Sequence, residues 1–468
     1  MRLPRIPALQ QQWLSAILLW TLPNIVFWWT AHAFGYQRPL FNLDYGLALA
    51  AWVLGWRKSG MVLALLALGL DVLAAAAQVY LLYEPLQLLS LLQFATLARP
   101  AFLWAGALFL LGSVLLFALL SHLAPKAGGR AVLAMLCPLV LLNIPSLWQE
   151  AQKQQANLQL DHRLVVLGSQ WDMLHRNLFR SDIGFAVANA EGAARFSHSP
   201  IQPASAMAWG NAAALPAQMP ARMLLVVAES WGLPWQPQRL QAQLQPLLAQ
   251  PGRIQVLQQG TVAFAGGTVA GELRELCQVQ SSEISFGSVT LTDRCLPLLL
   301  QQQGYRTHGV HAASGLMYRR LEWFASAGLQ DATFFQNYAG QARRCYSFPG
   351  WCDVDLMPHV SRLLQQADRS FVYWLTLNSH VPYDRRDILD SGHTVACEGL
   401  FGSRDGDLCR HFALGLEFFD ALARMLQDSA LSGLEVVVVG DHAPAFLDKT
   451  ARAAFDPKRV PFIHLRVQ

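Results

Sequence analysis

Charge is scarce in this sequence. Only 14% of its 468 residues are Asp, Glu, Lys or Arg, against about 25% in ordinary soluble domains. No basic run occurs, and the formal net charge is +4, so the chain carries no electrostatic footprint for nucleic acid. Cysteine is sparse too: seven in all, with none in the close CxxC spacing of a structural zinc site. The first apolar stretch opens a series of such segments and lacks a convincing small-residue cleavage site, so it is expected to be a retained anchor. No internal repeat is evident. What fills the space is hydrophobic bulk, 53% of the residues, concentrated before about residue 147.

Five apolar segments stand in that region, at 13–32, 42–56, 61–83, 101–124 and 131–147, and are expected as five membrane helices forming a domain over 1–147. A hydrocarbon core needs about 20 helical residues, so the second and fifth are short. Trp13, Trp28, Trp29, Trp56 and Trp148 lie near segment ends, where aromatic belts belong. With the N-terminus inside, Arg2, Arg5, Arg57, Lys58, Lys126 and Arg130 face the cytoplasm and only Arg38 and Arg99 face outward. That bias and an odd number of spans put everything after Trp148 outside the cytoplasm. Asp71 falls mid-membrane, a costly position that marks either a functional group or, more plainly, a member of a buried pair. No chemistry is assigned to it.

Residues 148–220 read as an extracytoplasmic linker. Within it 171–180 fits an interface-lying helix or a surface helix equally well, and 204–219, rich in Ala and Pro, reads as linker. From 221 to 468 strands and helices alternate. Continuous apolar runs at 223–228, 371–377, 434–439 and 460–465, together with 305–311, read as strands; helices are expected at 293–303, 316–327, 354–367 and 410–430, with another starting at Thr268. This is the rhythm of an α/β domain with helices on both faces of a sheet, whose ligands gather at the carboxyl ends of the strands. Six cysteines lie in this half as three short-separation couples, expected to pair as Cys277 with Cys295, Cys345 with Cys352, and Cys397 with Cys409, in an oxidising compartment.

The candidate chemistry stands beyond strand ends. Glu229 closes the 223–228 run, and Asp441-His442 closes the 434–439 run after Gly440. Gly266-Gly267 precede Thr268 at a helix start, where the hydroxyl meets the positive end of the helix dipole. Each has a bland alternative: Thr after Gly is an ordinary N-cap, and Gly-Asp-His can cap a helix. Taken together, two carboxylates, an imidazole and a hydroxyl suit one divalent ion, Zn²⁺ or Mn²⁺, which would make the Thr268 oxygen a competent nucleophile.

On these residues the outer domain resembles the alkaline-phosphatase and sulfatase superfamily. The whole chain is similar to its membrane-anchored headgroup transferases, the lipoteichoic-acid synthases and the lipid A phosphoethanolamine transferases. The resemblance implies an α/β sandwich after a multi-span membrane domain, and one metal ion on Glu229, Thr268, Asp441 and His442. Ser379-His380-Val381-Pro382-Tyr383 matches an element whose histidine faces the substrate phosphate or the leaving group, giving His380 a catalytic role. His311, Tyr318 and Arg320 match a phosphate and headgroup pocket, although the synthases carry Trp where this chain has Tyr318. The stretch 351–356 is similar to an acidic helix start seen across the group and reads equally as a helix cap. A second histidine about a dozen residues after the Asp-His pair, usual in the lipid A enzymes, is replaced here by Ala454-Phe455, the next being His464. The sulfatase nucleophile, a Cys or Ser followed by x-Pro-x-Arg, is absent at Thr268, and Cys295-Leu296-Pro297 lacks the Arg.

The expected function is transfer of phosphoethanolamine or phosphoglycerol from a membrane phospholipid donor to a glycan or glycolipid acceptor, through a phosphothreonine. The expected place is the bacterial inner membrane, with the catalytic domain periplasmic. A phosphodiesterase acting on the same donor and a catalytically silent lipid-binding relative are the alternatives.

Overall fold

The computed structural model describes residues 8–34, 38–79, 100–132, 134, 167–171, 196–210, 215–216, 219–281, 294–402 and 406–468. The chain divides into two compact units, Met1–Ala188 and Asn189–Gln468.

In the first unit the helices are α1 (Ala8–Phe34), α2 (Asp44–Val53), α3 (Arg57–Val79) and α4 (Pro100–Leu123), with a short parallel pair, β1 (Phe41–Asn42) and β2 (Leu167–Gly168). Among the described residues two helical stretches, Ala8–His32 and Arg57–Ala76, are long and apolar enough to cross a membrane. These match the first and third expected spans, and the five-helix expectation is not confirmed beyond them among the described residues. The segment 42–56 is short, as expected: α2 has ten residues, about 15 Å of helix against a hydrocarbon core of about 30 Å. It stops because Leu54, Gly55 and Trp56 turn the chain, Gly55 with φ of 81°. Over 101–124 the chain is helical as expected, α4 running for 24 residues. Most of the segment 131–147 and of the stretch 171–180 lies outside the described residues.

Asp71 is a member of a buried pair. Arg38 donates to both its carboxylate oxygens, at 2.9 and 2.8 Å, and Asn42 and Gln170 add bonds at 3.3 and 3.0 Å. Asp44 in turn accepts from the backbone of Gln170 and Trp171. The plainer of the two readings of Asp71 holds: a lone carboxylate here would be costly, and the guanidinium removes that cost.

The second unit is built on a seven-stranded sheet in the order β5-β13-β12-β4-β11-β7-β8. Its strands are β4 (Arg222–Ala228), β5 (Ile254–Ala263), β7 (Arg306–His311), β8 (Asp331–Thr333), β11 (Ser370–Leu375), β12 (Glu435–Gly440) and β13 (Arg459–Val467). Small pairs lie outside it: β3 (Phe196–His198) with β6 (Val279–Ser281), and β9 (Arg344–Cys345) with β10 (Gly350–Trp351). From β12 to β8 neighbouring strands are parallel; β13 runs antiparallel to both β12 and β5, so β5 shares the common direction.

The central strands are buried on both faces, as continuous Val, Leu and aromatic runs require. Alternate residues feed two cores. Leu224, Val226, Val436, Val438 and Trp374 meet α6 (Pro237–Leu248), α10 (Asp353–Gln365) and α12 (Asp407–Met425). Leu225, Val227, Val437, Val439 and Tyr373 meet α5 (Ala204–Trp209), α7 (Thr268–Cys277), α8 (Leu296–Gln302) and α9 (Arg320–Ser326). The remaining helices are α11 (Ser391–Phe401) and α13 (Lys449–Arg452).

The run 204–219, expected as linker, opens with α5. Trp209 is buried in the core and donates to Glu435 Oε2 at 2.9 Å, while Ser205 bonds to Glu275. An Ala-rich hexapeptide hides this in composition, because one tryptophan supplies most of the packing. The three expected cysteine couples are disulfides: Cys277–Cys295, Cys345–Cys352 and Cys397–Cys409.

Candidate active site

Register explains why distant residues meet. Leu375 stands opposite Val227 on one side and His311 on the other, and Gly440 stands opposite Ala228. The ends of β7, β11, β4 and β12 are therefore level, and Glu229, the 376–380 segment and Asp441-His442 emerge from one edge of the sheet. β5 ends at the same edge and delivers the chain to α7, whose first residue is Thr268.

The backbone at these ends is specialised. Glu229 N donates to Thr376 Oγ1 at 2.9 Å. The chain then turns through Ser230 at φ 56°, a left-handed conformation uncommon for a residue with a side chain. That turn aims Ser230 N at Asp441 Oδ1, 2.7 Å away, and His442 N meets the same oxygen at 2.7 Å. Gly440 cannot carry a side chain, since a Cβ there would lie 2.0 Å from the Trp231 carbonyl oxygen.

Four side chains converge. Thr268 Oγ1 donates to Glu229 Oε2 at 3.1 Å and lies 3.3 Å from His442 Nε2. His442 Nε2 is 3.5 Å from Glu229 Oε1 and 3.2 Å from Asp441 Oδ2. The His442 ring is held through Nδ1 to Ala443 O at 2.9 Å, which points Nε2 into the cluster. Ligand atoms of Glu229, Asp441 and His442 all lie within 4.8 Å of one another. Asp441 Oδ2 is buried without a hydrogen bond, a condition that a cation relieves. The donor set of carboxylate oxygens, one hydroxyl and one imidazole nitrogen fits a Zn²⁺- or Mn²⁺-type ion. Cys345, Cys352 and Asp387 also lie close together, but the two sulfurs are bonded to each other.

Electrostatics agree with that fit. Burial opposes ionisation of Glu229, yet His380, His442 and hydrogen bonds from Ser230 and Asp441 outweigh it and hold its pKa below the usual value. Asp441 moves the other way, pushed well up by burial and then by the Glu229 charge. Burial also lowers His442, keeping the ring neutral, the form that binds a metal. Two adjacent buried carboxylates whose pKa values are driven apart in this way make an environment that a bound cation would relieve.

A second layer fixes the first. Arg274, on α7, donates to the carbonyls of Gly440 at 2.7 Å and Asp441 at 3.2 Å, and to Glu275 Oε1 at 2.7 Å. His411 Nε2 bonds Ser230 O at 2.8 Å.

Of the other expected residues, His380 acts electrostatically on Glu229 and His442. His380 packs against Phe348 with ring centroids 4.5 Å apart, and its Nδ1 bonds Val381 O at 2.6 Å, leaving Nε2 as the second ring nitrogen. His311 is buried with Nδ1 3.2 Å from Leu375 O; burial, then the Arg320 charge, drives its pKa well down. Arg320 is buried against Glu272, and its guanidinium carbon lies 5.0 Å from the centre of the Tyr318 ring. Tyr318 and Arg319 both adopt φ of 54°, and Tyr383, just after His380, φ of 55°. His464 stands apart from the cluster. It bonds Glu435 Oε2 at 2.9 Å, and Glu435 opens the strand that Asp441 closes, about 20 Å along a six-residue strand.

Residues 262–397 match the family model named Sulfatase. The matched stretch lies within the second unit. It begins at the end of β5, takes in Thr268, His311, Arg320 and His380, and stops before α12; Glu229 and the Asp441-His442 pair of the same site lie outside the matched span. Among solved structures the chain is similar to the integral membrane lipooligosaccharide phosphoethanolamine transferase A of Neisseria meningitidis, at 15% identity over 90% of this chain and 79% of that one, TM-score 0.45. It is also similar to the lipoteichoic acid synthase LtaP of Listeria monocytogenes, at 14% identity over 56% and 71%, TM-score 0.40. A third is the C-terminal periplasmic domain of EptC from Escherichia coli in complex with Zn, at 13% identity over 58% and 76%, TM-score 0.39. No curated protein matches the chain.

Reading the sequence assigned Glu272, Arg274 and Ser230 no place in the site, and took Asp353 only as part of an acidic helix start that reads equally as a cap. Asp353 Oδ2 accepts the backbone N–H of Leu377 and Asn378, at 2.8 and 2.7 Å, and so braces the segment leading to His380. Its place at the start of α10 was the only signal, and it resembles an ordinary cap. Glu272 and Arg274 had no signal beyond the polar positions of an amphipathic helix.

Proposed function

We propose that the protein is a membrane-anchored phosphotransferase. It takes the headgroup of a phospholipid, phosphoethanolamine or phosphoglycerol, onto Thr268 and passes it to a hydroxyl of an envelope glycan or glycolipid. The observation that carries this reading is the position of Thr268 Oγ1, at the start of α7 and 3.1 Å from Glu229 Oε2 and 3.3 Å from His442 Nε2. A hydroxyl placed there has a helix dipole behind it and a metal-type donor set in front of it. Glu229, Thr268, Asp441 and His442 would hold one Zn²⁺ or Mn²⁺, which when bound supplies Lewis acidity to the Thr268 oxygen and the phosphate.

Thr268 Oγ1 attacks phosphorus, and its bond to phosphorus forms as the bond from phosphorus to the diacylglycerol oxygen breaks. The hydroxyl proton, directed at Glu229 Oε2, passes to that carboxylate and returns to the Thr268 oxygen when the phosphothreonine is resolved. His380, tethered through Nδ1, gives a proton from Nε2 to the departing oxygen, releasing diacylglycerol. In the second half an acceptor hydroxyl attacks the phosphothreonine, the Thr268 O–P bond breaks, and His380 takes the acceptor's proton. His311, Tyr318 and Arg320 hold the phosphate and headgroup, Arg320 by charge-assisted hydrogen bonds. The anchoring helices confine the site to a bilayer surface where the donor is concentrated, and three disulfides suit an extracytoplasmic compartment.

The test is incubation of purified protein with labelled phosphatidylethanolamine or phosphatidylglycerol in the presence of Zn²⁺ or Mn²⁺. Diacylglycerol release with a headgroup-phosphate adduct on the Thr268 peptide is the expected result, and the adduct's mass names the headgroup. Release of the headgroup to water with no transfer to any glycan would make the protein a phosphodiesterase. Absence of diacylglycerol from both lipids would end the lipid-donor reading, and turnover by Thr268→Ala would end the nucleophile assignment.

A further inference from the structure

The guanidinium of Arg320 is not open on all sides. Its Nε and Nη2 face Glu272, with Nε at 3.0 Å from Oε2 and 3.2 Å from Oε1, and Nη2 at 2.6 Å from Oε2. Tyr373 donates its hydroxyl to Glu272 Oε1 at 3.0 Å. Both members of the pair are buried, Arg320 at 2% and Glu272 at 0% exposure. Nη1 hydrogen-bonds to no described residue.

A buried ion pair is weak evidence for stability, because desolvation offsets most of the attraction and apolar replacements often do as well. Its worth here lies in where the carboxylate is attached. Glu272 follows Thr268 by four residues on α7, and side chains at that spacing share one face of a helix. The helix that presents the nucleophile thus also carries the group that orients the guanidinium. On the other side, Arg320 follows two consecutive left-handed residues, Tyr318 and Arg319, and has the Tyr318 ring 5.0 Å away. Strained backbone of this kind persists where the surroundings fix it, and it clusters at functional sites.

We propose that Glu272 is a positioning residue that sets Arg320 in register with the Thr268 hydroxyl, so that one helix carries both the nucleophile and the carboxylate that orients the phosphate clamp. This rests on the reading that Thr268 attacks a phosphodiester held by Arg320. Glu272 occupies one edge of the guanidinium and Nη1 meets the phosphate. A shift of α7 then moves attacking oxygen and clamp together, preserving the near-attack geometry on which such reactions depend.

The experiment uses the full-length, metal-loaded protein with bis(4-nitrophenyl) phosphate as a soluble diester, beside labelled phosphatidylethanolamine. Glu272→Gln is expected to lower kcat/KM for the soluble diester about 10- to 100-fold with bound metal unchanged at the wild-type stoichiometry. Arg320→Lys is expected to fall similarly, and the double variant no further than the weaker single, since both remove one coupled element. Glu272→Asp, which keeps the charge on a shorter arm, is expected to recover part of the loss, and it keeps the question decidable if Glu272→Gln fails to fold. Wild-type kcat/KM in Glu272→Gln, or losses that multiply in the double variant, would overturn the inference. Wild-type turnover of the soluble diester without any turnover of phospholipid would instead overturn the lipid-donor reading and leave this one standing.

Discussion

Gly271 lies so close to Asp441 that a methyl group in place of its hydrogen would stand 2.8 Å from the Asp441 Cβ and 2.9 Å from its Cα. The helix that Thr268 opens therefore rests directly on the strand end that supplies two of the site's polar groups. In an exposed helix, Gly→Ala would stabilise by about 1 kcal/mol. Here the clash decides the sign: Gly271→Ala is expected to lose about 1–3 kcal/mol and about 100-fold in turnover, read by thermal unfolding and diester hydrolysis. Wild-type values in both would show that the helix has room to move.

Metal content offers a test independent of turnover. Asp441→Asn is expected to purify with less than about a tenth of the wild-type complement of Zn or Mn by elemental analysis. Arg274→Ala, which frees the Gly440 and Asp441 carbonyls, is expected to weaken binding about 10- to 100-fold. Retention of full metal by Asp441→Asn would remove that carboxylate from the site.

Glu435 gives a pH signature away from the chemistry. Burial alone would raise its pKa, but hydrogen bonds from His464, Arg466 and Trp209 outweigh it and hold the carboxyl at about 2. A folded-state pKa below the unfolded value gives stability that is present above about pH 4.5 and is lost as pH falls toward 2. Glu435→Gln is accordingly expected to unfold at lower temperature than wild type at pH 7, with the gap narrowing by pH 3. A gap independent of pH would mean that the carboxylate's charge plays no part.

In the first unit, Arg38→Ala leaves the Asp71 carboxylate buried without its cation, and a cost of about 3–5 kcal/mol is expected. The paired replacement Arg38→Met with Asp71→Leu should recover much of it. Unfolding in detergent, followed by circular dichroism, reads both; an Arg38→Ala protein as stable as wild type would show that the pair is dispensable.

The sheet's centre was legible because β4, β11 and β12 are unbroken apolar runs, a pattern that only a strand covered on both faces needs. β5 was not: Gln255, Gln258 and Gln259 interrupt it, because much of that edge strand faces solvent. The metal-type cluster could be read from Glu229, Thr268 and Asp441-His442, since each follows a strand end or opens a helix. The Arg320–Glu272 pair could not, because nothing in sequence tells a guanidinium awaiting a ligand from one already matched. That the second segment is short was legible, but the end of α2 was not: hydropathy counts apolar residues and is blind to the turn at Leu54 and Gly55 that ends the helix.

Each disulfide closes a brief stretch, 18, 7 and 12 residues apart in sequence, and the sheet's own hydrogen bonds and two cores involve strands far more widely separated. Cys277 ends the helix that Thr268 begins, and Cys352 immediately precedes Asp353. Produced in a reducing cytosol, the polypeptide would thus yield a soluble-looking preparation with its centre assembled and its rim loose. Inactivity in such a sample would report the thiols' redox state and say little about the catalytic constellation itself.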